Sequence, residues 1–265
     1  QRQLNHIVKL SASEVLVEQI YNDSSGPIVV SAGELIKGEV HYSNVGTVGL
    51  KDVIVKVAFE GVGFYPLSLQ LQGGAYDSAE KTVVWSAATV PELAVVQPRE
   101  EGVISYSFTV LPTEQYPATG DGATNNVIVS VATVDSPDIP TPVGGNKIVM
   151  SDRAILSVKT DLSLSADAFY DDGRLGITSY GPLPPKVGEK TSYTIRFRVG
   201  SSLNDVSGVR VVAVLPDGVS YTGSSYKTSG DMKFNERTGE LVWSLPFFNG
   251  GVGRTKPPHE LHAQV

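Results

Sequence analysis

The chain has 265 residues, 41% of them hydrophobic, with 27 Gly, 16 Pro, no Cys and a formal net charge of -7 at pH 7. That apolar content builds packed cores and excludes a disordered chain. The acidic balance excludes a phosphate-backbone partner, which needs clustered Lys and Arg, and the lack of Cys excludes disulfide scaffolding, thiolate catalysis and zinc–thiolate sites.

Helical periodicity is nearly absent along the chain, and period-two alternation recurs throughout. The first strong run is "KDVIVKVAF", which puts Val53, Val55, Val57 and Phe59 on one face. Next comes "AYDSAEKTVVW" (75 to 85), two short strands around a polar turn, beginning near Tyr76 and closing on Trp85. "VISYSFTV" aligns Ile104, Tyr106, Phe108 and Val110, and "NNVIVSVATV" and "NKIVMSDRAILSV" follow as later strands. "TSYTIRFRV" places Tyr193, Ile195, Phe197 and Val199 on one face, with Thr194, Arg196 and Arg198 on the other. Then "KFNERTGELVW" (233 to 243) repeats the earlier hairpin, with Phe234 in the place of Tyr76 and Trp243 in that of Trp85. Short strands separated by Gly, Pro, Asn and Asp turns predict an all-β chain, built as a sandwich or a barrel. No run of about 18 apolar residues exists, so no membrane insertion is expected within this chain.

The hairpin belongs to a longer repeat. Residues 32 to 61 lie over residues 187 to 218: Gly33 meets Gly188, Glu34 meets Glu189, and Val53 meets Val209. The lead-in "KLSASEVLVEQIYND" resembles "DLSLSADAFYDDG". The unit is a whole domain written twice, which predicts repeat one over 1–160 and repeat two over 161–265. The junction "SVKTDLSLS" (157 to 165) has no Gly/Ser linker, so one extended and fairly stiff run should join the two. The terminal "ELHAQV" corresponds to the strand around "YSFTV", and nothing after it matches the two later strands of repeat one. The second sandwich is therefore expected to lack its last strands and to expose a sheet edge. Either the native chain continues, or a strand from a neighbouring molecule completes the fold, with residues 5 to 17 as the candidate donor. The start at Gln1, without Met or an apolar leader, predicts a processed or excised product whose anchor lies outside it.

"GPLPPKVGEKTSYTIRFRV", "VRVVAVLPDGVSYTG" and "GELVWSL" together resemble the bacterial conserved repeat domain catalogued as domain of unknown function eleven. The matched pieces are the Gly-Glu turn into a strand, the Leu215–Val219 corner and the Val242-Trp243 strand. Residues 161–265 match well; the first repeat matches more loosely, because Phe59-Glu60-Gly61 replaces the Leu-Pro-Asp-Gly corner. The resemblance implies tandem immunoglobulin-like sandwiches of a large bacterial surface protein, with no catalytic residues and no cofactor to transfer. It implies a non-catalytic structural or spacer module outside the cell, whose partners are neighbouring repeats. The alternative is an adhesin or carbohydrate-binding module that takes a glycan or protein ligand at sandwich-end loops.

Several residues could carry chemistry. Asp161, Asp167, Asp171 and Asp172, with Asp23 in repeat one, are calcium candidates, although their spacing matches no loop template and solvated surface is the default reading. His259 and His262 sit three apart in a probable strand, where they face opposite sides, so surface positions are expected rather than a metal site; His6 and His41 have no visible partner. Ser224 to Lys227 satisfies S-x-x-K but lies in a polar loop without the helix and further motifs that serine–lysine catalysis needs. "NDS" at Asn22 is a glycosylation sequon. Lys56, set among apolar neighbours, with Asn125 and Asn126, could form an isopeptide crosslink; alternation equally allows Lys56 to point outward. Trp85 and Trp243 could be sugar platforms, but equivalent positions in a repeat, beside strand valines, predict structural core packing, with Tyr76 and Phe234 as their hairpin partners.

Overall fold

The computed structural model describes residues 14–139, 149–171 and 177–265. Asp172, His6 and most of the candidate donor strand lie outside those residues. The chain divides into two compact units, one of residues 1–115 and 127–158, the other of residues 116–126 and 159–265. Among the described residues no helix is long and apolar enough to cross a membrane.

The first unit contains β1 (Val15–Tyr21), β2 (Ile28–Val30), β3 (Leu35–Asn44), β4 (Leu50–Lys51), β5 (Ile54–Glu60), β6 (Phe64–Leu71), β7 (Ala75–Asp77), β8 (Thr82–Trp85), β9 (Val95–Val96), β10 (Glu101–Val110), β11 (Val127–Asp135), β12 (Val149–Met150) and β13 (Ala154–Val158). One sheet runs β1-β3-β10-β6 and the other β2-β13-β11-β5-β8-β7, with β12 beside β11 and a small β4-β9 ribbon apart. The alternating residues fill the space between the two sheets: Val53, Val55, Val57 and Phe59, and Ile104, Tyr106, Phe108 and Val110, are all buried. Burying one such side chain is worth about 1.5–3 kcal/mol. Phe59 stacks on Phe64 at 4.1 Å, and Phe108 meets both edge-on. Tyr106 lies across Gly38 in the β3–β10 ladder, and a Cβ at Gly38 would come within 2.5 Å of its ring.

The second unit contains β14 (Leu162–Phe169), β15 (Thr194–Ser201), β16 (Val206–Val214), β17 (Ser225–Lys227), β18 (Asp231–Asn235), β19 (Glu240–Phe248) and β20 (His259–Gln264). Its sheets run β14-β15-β20-β17 and β16-β19-β18. Phe197, Val199, Val211, Leu241, Trp243, Leu245, Leu261 and Ala263 form its core. This is a second sandwich with the strand order of the first: β14-β15-β20-β17 repeats β1-β3-β10-β6, and β16-β19-β18 repeats β5-β8-β7. The stretch "ELHAQV" thus occupies the place of β10. Among the described residues no counterpart of β11 or β13 lies beside β16, which stands at the edge of its sheet.

The equivalence extends to register. Val55 faces Trp85 and Val211 faces Trp243; Tyr76 faces Val83 and Phe234 faces Leu241. The Phe59 amide donates to the Lys81 carbonyl at 3.0 Å, and the Leu215 amide to the Gly239 carbonyl at 2.9 Å. The turn glycines Gly33 and Gly188 both have positive φ, 76° and 83°. Each leads into the same Glu, whose amide donates back three residues to Ser31 or Lys186. That left-handed backbone is what glycine alone adopts freely.

The donor-strand expectation needs one correction. Val15, Leu16 and Val17 are committed to β1, paired with Asn44, Ser43 and Tyr42 of β3, so this part of the segment is not free to leave.

Candidate functional site

The repeated aromatic positions are interior. Trp85 and Trp243 are each 0% exposed, so neither indole offers a face to a sugar ring. Their surroundings differ in one respect. The Trp243 Nε1–H donates to the Ser229 carbonyl at 2.9 Å, whereas the Trp85 Nε1–H finds no acceptor and lies against Gly74. Tyr76 packs edge-on to Phe64 at 6.0 Å, and Phe234 lies 5.4 Å from Tyr221; both are half-buried at the margin of their cores.

Buried polar groups form a hydrogen-bonded chain inside the first unit. Tyr21 on β1 has its hydroxyl 2.6 Å from that of Tyr106 on β10 and 2.6 Å from Ser130 Oγ on β11. Ser130 donates to Gln19 Oε1 at 2.8 Å, and Gln19 Nε2 donates to Ser151 Oγ at 2.8 Å. The chain links the two sheets through the core. Burial pushes the Tyr21 phenol up to about 12 and Tyr106 well above its ordinary value. Sequence reasoning missed this network. Its only trace is that alternation puts Gln19 and Ser130 on otherwise apolar faces.

The network predicts an alkaline limit. A phenol whose folded pKa is raised contributes stability that is complete below its unfolded value of about 10 and is lost as pH rises toward the folded value. The first unit should therefore lose on the order of 3 kcal/mol between about pH 10 and 12 from Tyr21, at about 1.4 kcal/mol per unit of pKa. Denaturant melts across that range should show the decline in wild type and a smaller one in Tyr21→Phe.

In the second unit, the segment 116–126 is held by Arg254. Its guanidinium donates to the carbonyls of Ser202 (2.9 Å), Tyr116 (3.3 Å), Pro117 (3.2 Å) and Ala123 (3.3 Å). Asn125 and Asp205 exchange two hydrogen bonds at 2.9 Å, and Asp205 also accepts from the Gly250 amide at 2.8 Å. The Gly250 bond, with that of Asn125, holds the Asp205 carboxyl below its usual range. Tyr116 is buried here, which raises its phenol to about 12.

The candidate reactive residues are dispersed. The Asp167 carboxylate is engaged by Arg198 and, at 3.6 Å, by Arg196, whose guanidinium also covers the Phe169 ring. Asp161, Asp171 and Asp23 are exposed, and Asp23 sits in a turn with φ 64°. Among the described residues no three His, Asp or Glu side chains come together as a metal site would require. His259 meets the Phe248 ring on the inner face, while His262 is buried on the other face beside Glu260 (3.2 Å) and Tyr226. His41 pairs with Glu39 at 2.8 Å. The Lys227 ammonium is bound to Asp231 at 2.9 Å rather than to Ser224. Asn22 is exposed and accepts from the Lys37 amide. Lys56 points outward, whereas Asn126 is buried and donates to the Gly122 carbonyl, so the crosslink reading has no support in this geometry.

One open concavity of about 530 Å³ lies at an end of the second sandwich. Tyr180, Pro185, Lys190 and Tyr193 line it together with Gly218 and Val219, so the stretch leading into β15 and the Leu215–Val219 corner meet there.

No family model matches the chain, and no curated protein matches it. Among solved structures, the C-terminal domain of the Streptococcus pyogenes antigen I/II-family protein AspA is similar at 12% identity, over 96% of this chain and 90% of that one, with a TM-score of 0.41. The C-terminal domain of the Streptococcus agalactiae antigen I/II polypeptide BspA is similar at 11% identity, over 94% and 90%, with a TM-score of 0.39. BcpA, the major pilin subunit of Bacillus cereus, is similar at 8% identity, over 94% and 66%, with a TM-score of 0.37.

Proposed function

We propose that the chain is a non-catalytic structural module of a bacterial cell-surface protein, a stalk or array segment made of tandem immunoglobulin-like repeats of the kind catalogued as domain of unknown function eleven. The observation that carries this reading is the duplicated hairpin register, Val55 on Trp85 and Val211 on Trp243, with both indoles fully buried. What the two copies share is the means of packing: the core positions, the left-handed turn glycines and the backbone bonds that close each hairpin. A spacer needs those features and no others. Its placement outside the cell and its partnership with neighbouring repeats belong to the same proposal.

A second reading, an adhesin or carbohydrate-binding module, is favoured by the concavity beside Tyr180 and Tyr193. Aromatic faces next to polar side chains suit a sugar or an extended peptide. One pair of measurements separates the two. Under a pulling force, the full chain should unfold in two separate cooperative steps and should show no saturable binding on a glycan and matrix-protein array. Saturable binding that disappears in Tyr180→Ala or Tyr193→Ala would replace the spacer reading with the adhesin one.

A further inference from the structure

The first unit carries an acidic groove beside β10. That strand pairs with β3 from Glu101 onward, but β6 covers its other side only from Tyr106 to Val110. The uncovered stretch of β10 lines an open groove of about 520 Å³, which Gln72, Thr89 and Glu92 also line. The Asn44 amide donates to the Glu100 carbonyl, and the direction of bonding alternates along an antiparallel strand. Gly102 therefore bonds to β3, while Val103 turns its N–H and C=O away from β3, toward the groove.

Two tyrosines cross glycines in this sheet, and they end differently. Tyr106 crosses Gly38, and its hydroxyl meets that of Tyr21 at 2.6 Å. Tyr42 crosses Gly102, where a Cβ would collide with its hydroxyl. Tyr42 is only 7% exposed, yet it lines the groove, and its hydroxyl bonds to no described residue. After burial itself, the charges of Glu100 and Glu92 raise the Tyr42 phenol above its ordinary value, so both carboxylates act on this hydroxyl. Glu101 lines the groove as well, and no Lys, Arg or His does so among the described residues. These acids do not converge as a metal ion would require. A spread of carboxylates around one unbonded hydroxyl suits a larger cation, an ammonium or guanidinium.

We propose that this groove receives a partner polypeptide, which lays an extended segment along the open stretch of β10 and places a basic side chain opposite Gly102. The Val103 main chain supplies the bonds that any sheet edge offers an added strand. Gly102 leaves the space above β10 to the Tyr42 hydroxyl, which accepts from the incoming cation. Glu92 and Glu100 balance its charge and repel an acidic segment. Neither the spacer nor the adhesin reading uses this groove.

The probe is the peptide acetyl-Thr-Val-Thr-Lys-Thr-Val-Thr-amide, titrated calorimetrically into the full 265-residue chain, with amide exchange read at Val103. The expected result is saturable binding that slows exchange at Val103 and weakens as salt is added. The same peptide with an Nε-acetylated lysine should not bind. Tyr42→Phe should weaken binding roughly tenfold, the worth of one hydrogen bond to a charged group. It should leave the melting temperature unchanged, because that hydroxyl bonds to no described residue in the free chain. Glu92→Gln should weaken binding severalfold and flatten its salt dependence; Glu92 is exposed, so the fold stays intact. Four outcomes overturn the proposal: no saturable binding; equal binding of the acetylated peptide; equal binding of cadaverine, which would make a free amine the occupant and leave the β10 edge without a part; or undiminished binding to both Tyr42→Phe and Glu92→Gln, which would place the peptide elsewhere.

Discussion

Trp243→Ala should destabilise the second unit by about 3–5 kcal/mol, the cost of emptying a fully buried aromatic site in a core that relaxes only in part. The indole stands opposite Val211 in the β16–β19 ladder, within the cluster that includes Leu241, Leu245 and Leu261. Trp85→Ala should cost the first unit a similar amount, since that indole is equally buried. The Phe substitutions separate packing from hydrogen bonding. Trp243→Phe strands the Ser229 carbonyl, while Trp85→Phe removes an N–H that already has no acceptor. Trp243→Phe should therefore be the costlier of the two by about 1 kcal/mol. Denaturant melts monitored by far- and near-ultraviolet circular dichroism would measure all four variants, with the remaining Trp reporting the unit left unchanged. Equal costs for the two Phe variants would mean that the Ser229 bond adds no net stability.

Arg254→Ala should destabilise the second unit by about 2–4 kcal/mol, because four carbonyls lose a charged donor at once and the partly buried ones gain no replacement. Arg254→Lys should recover little of this, since a single ammonium cannot address carbonyls from three directions as the planar guanidinium does. The segment 116–126 should become the first site of limited proteolysis in the Ala variant while cleavage in the first unit stays at wild-type rates. If that segment keeps its protection, then the Asn125–Asp205 exchange and the burial of Tyr116 hold it without the guanidinium.

Strand positions were legible because period-two alternation is local. A reader of "KDVIVKVAF" or "VISYSFTV" already knows which side chains go inward, and the buried sets match. The duplication was legible for a related reason: turn glycines and hairpin tryptophans are few and recur at steady spacing. The alternation of "TSYTIRFRV" was right in phase yet incomplete. Thr194 lies on the face opposite Phe197 and is nevertheless fully buried, as are Ser192 and His262. Gln264 donates to the Thr178 carbonyl and Ser192 exchanges bonds with Tyr180, so another stretch of chain covers that end of the outer face. The Tyr21–Tyr106–Ser130 chain joins residues more than 80 positions apart, and no window of sequence spans it. The attachment of residues 116–126 to the second unit was equally hidden, since a guanidinium aimed at main-chain carbonyls leaves no pattern in the side chains it binds.

That mode of attachment bears on how such a chain can diversify. Arg254 contacts only carbonyl oxygens, which every residue possesses. Most side chains in 116–126 can therefore change, provided the backbone keeps its path, and the side-chain identities that matter narrow to Arg254, the Asn125–Asp205 pair and the buried Tyr116, Ala123 and Asn126. Selection on this connection acts on the shape of a loop more than on its letters. The two repeats can thus drift far apart in sequence, as these have, while the backbone path that Arg254 holds stays the same.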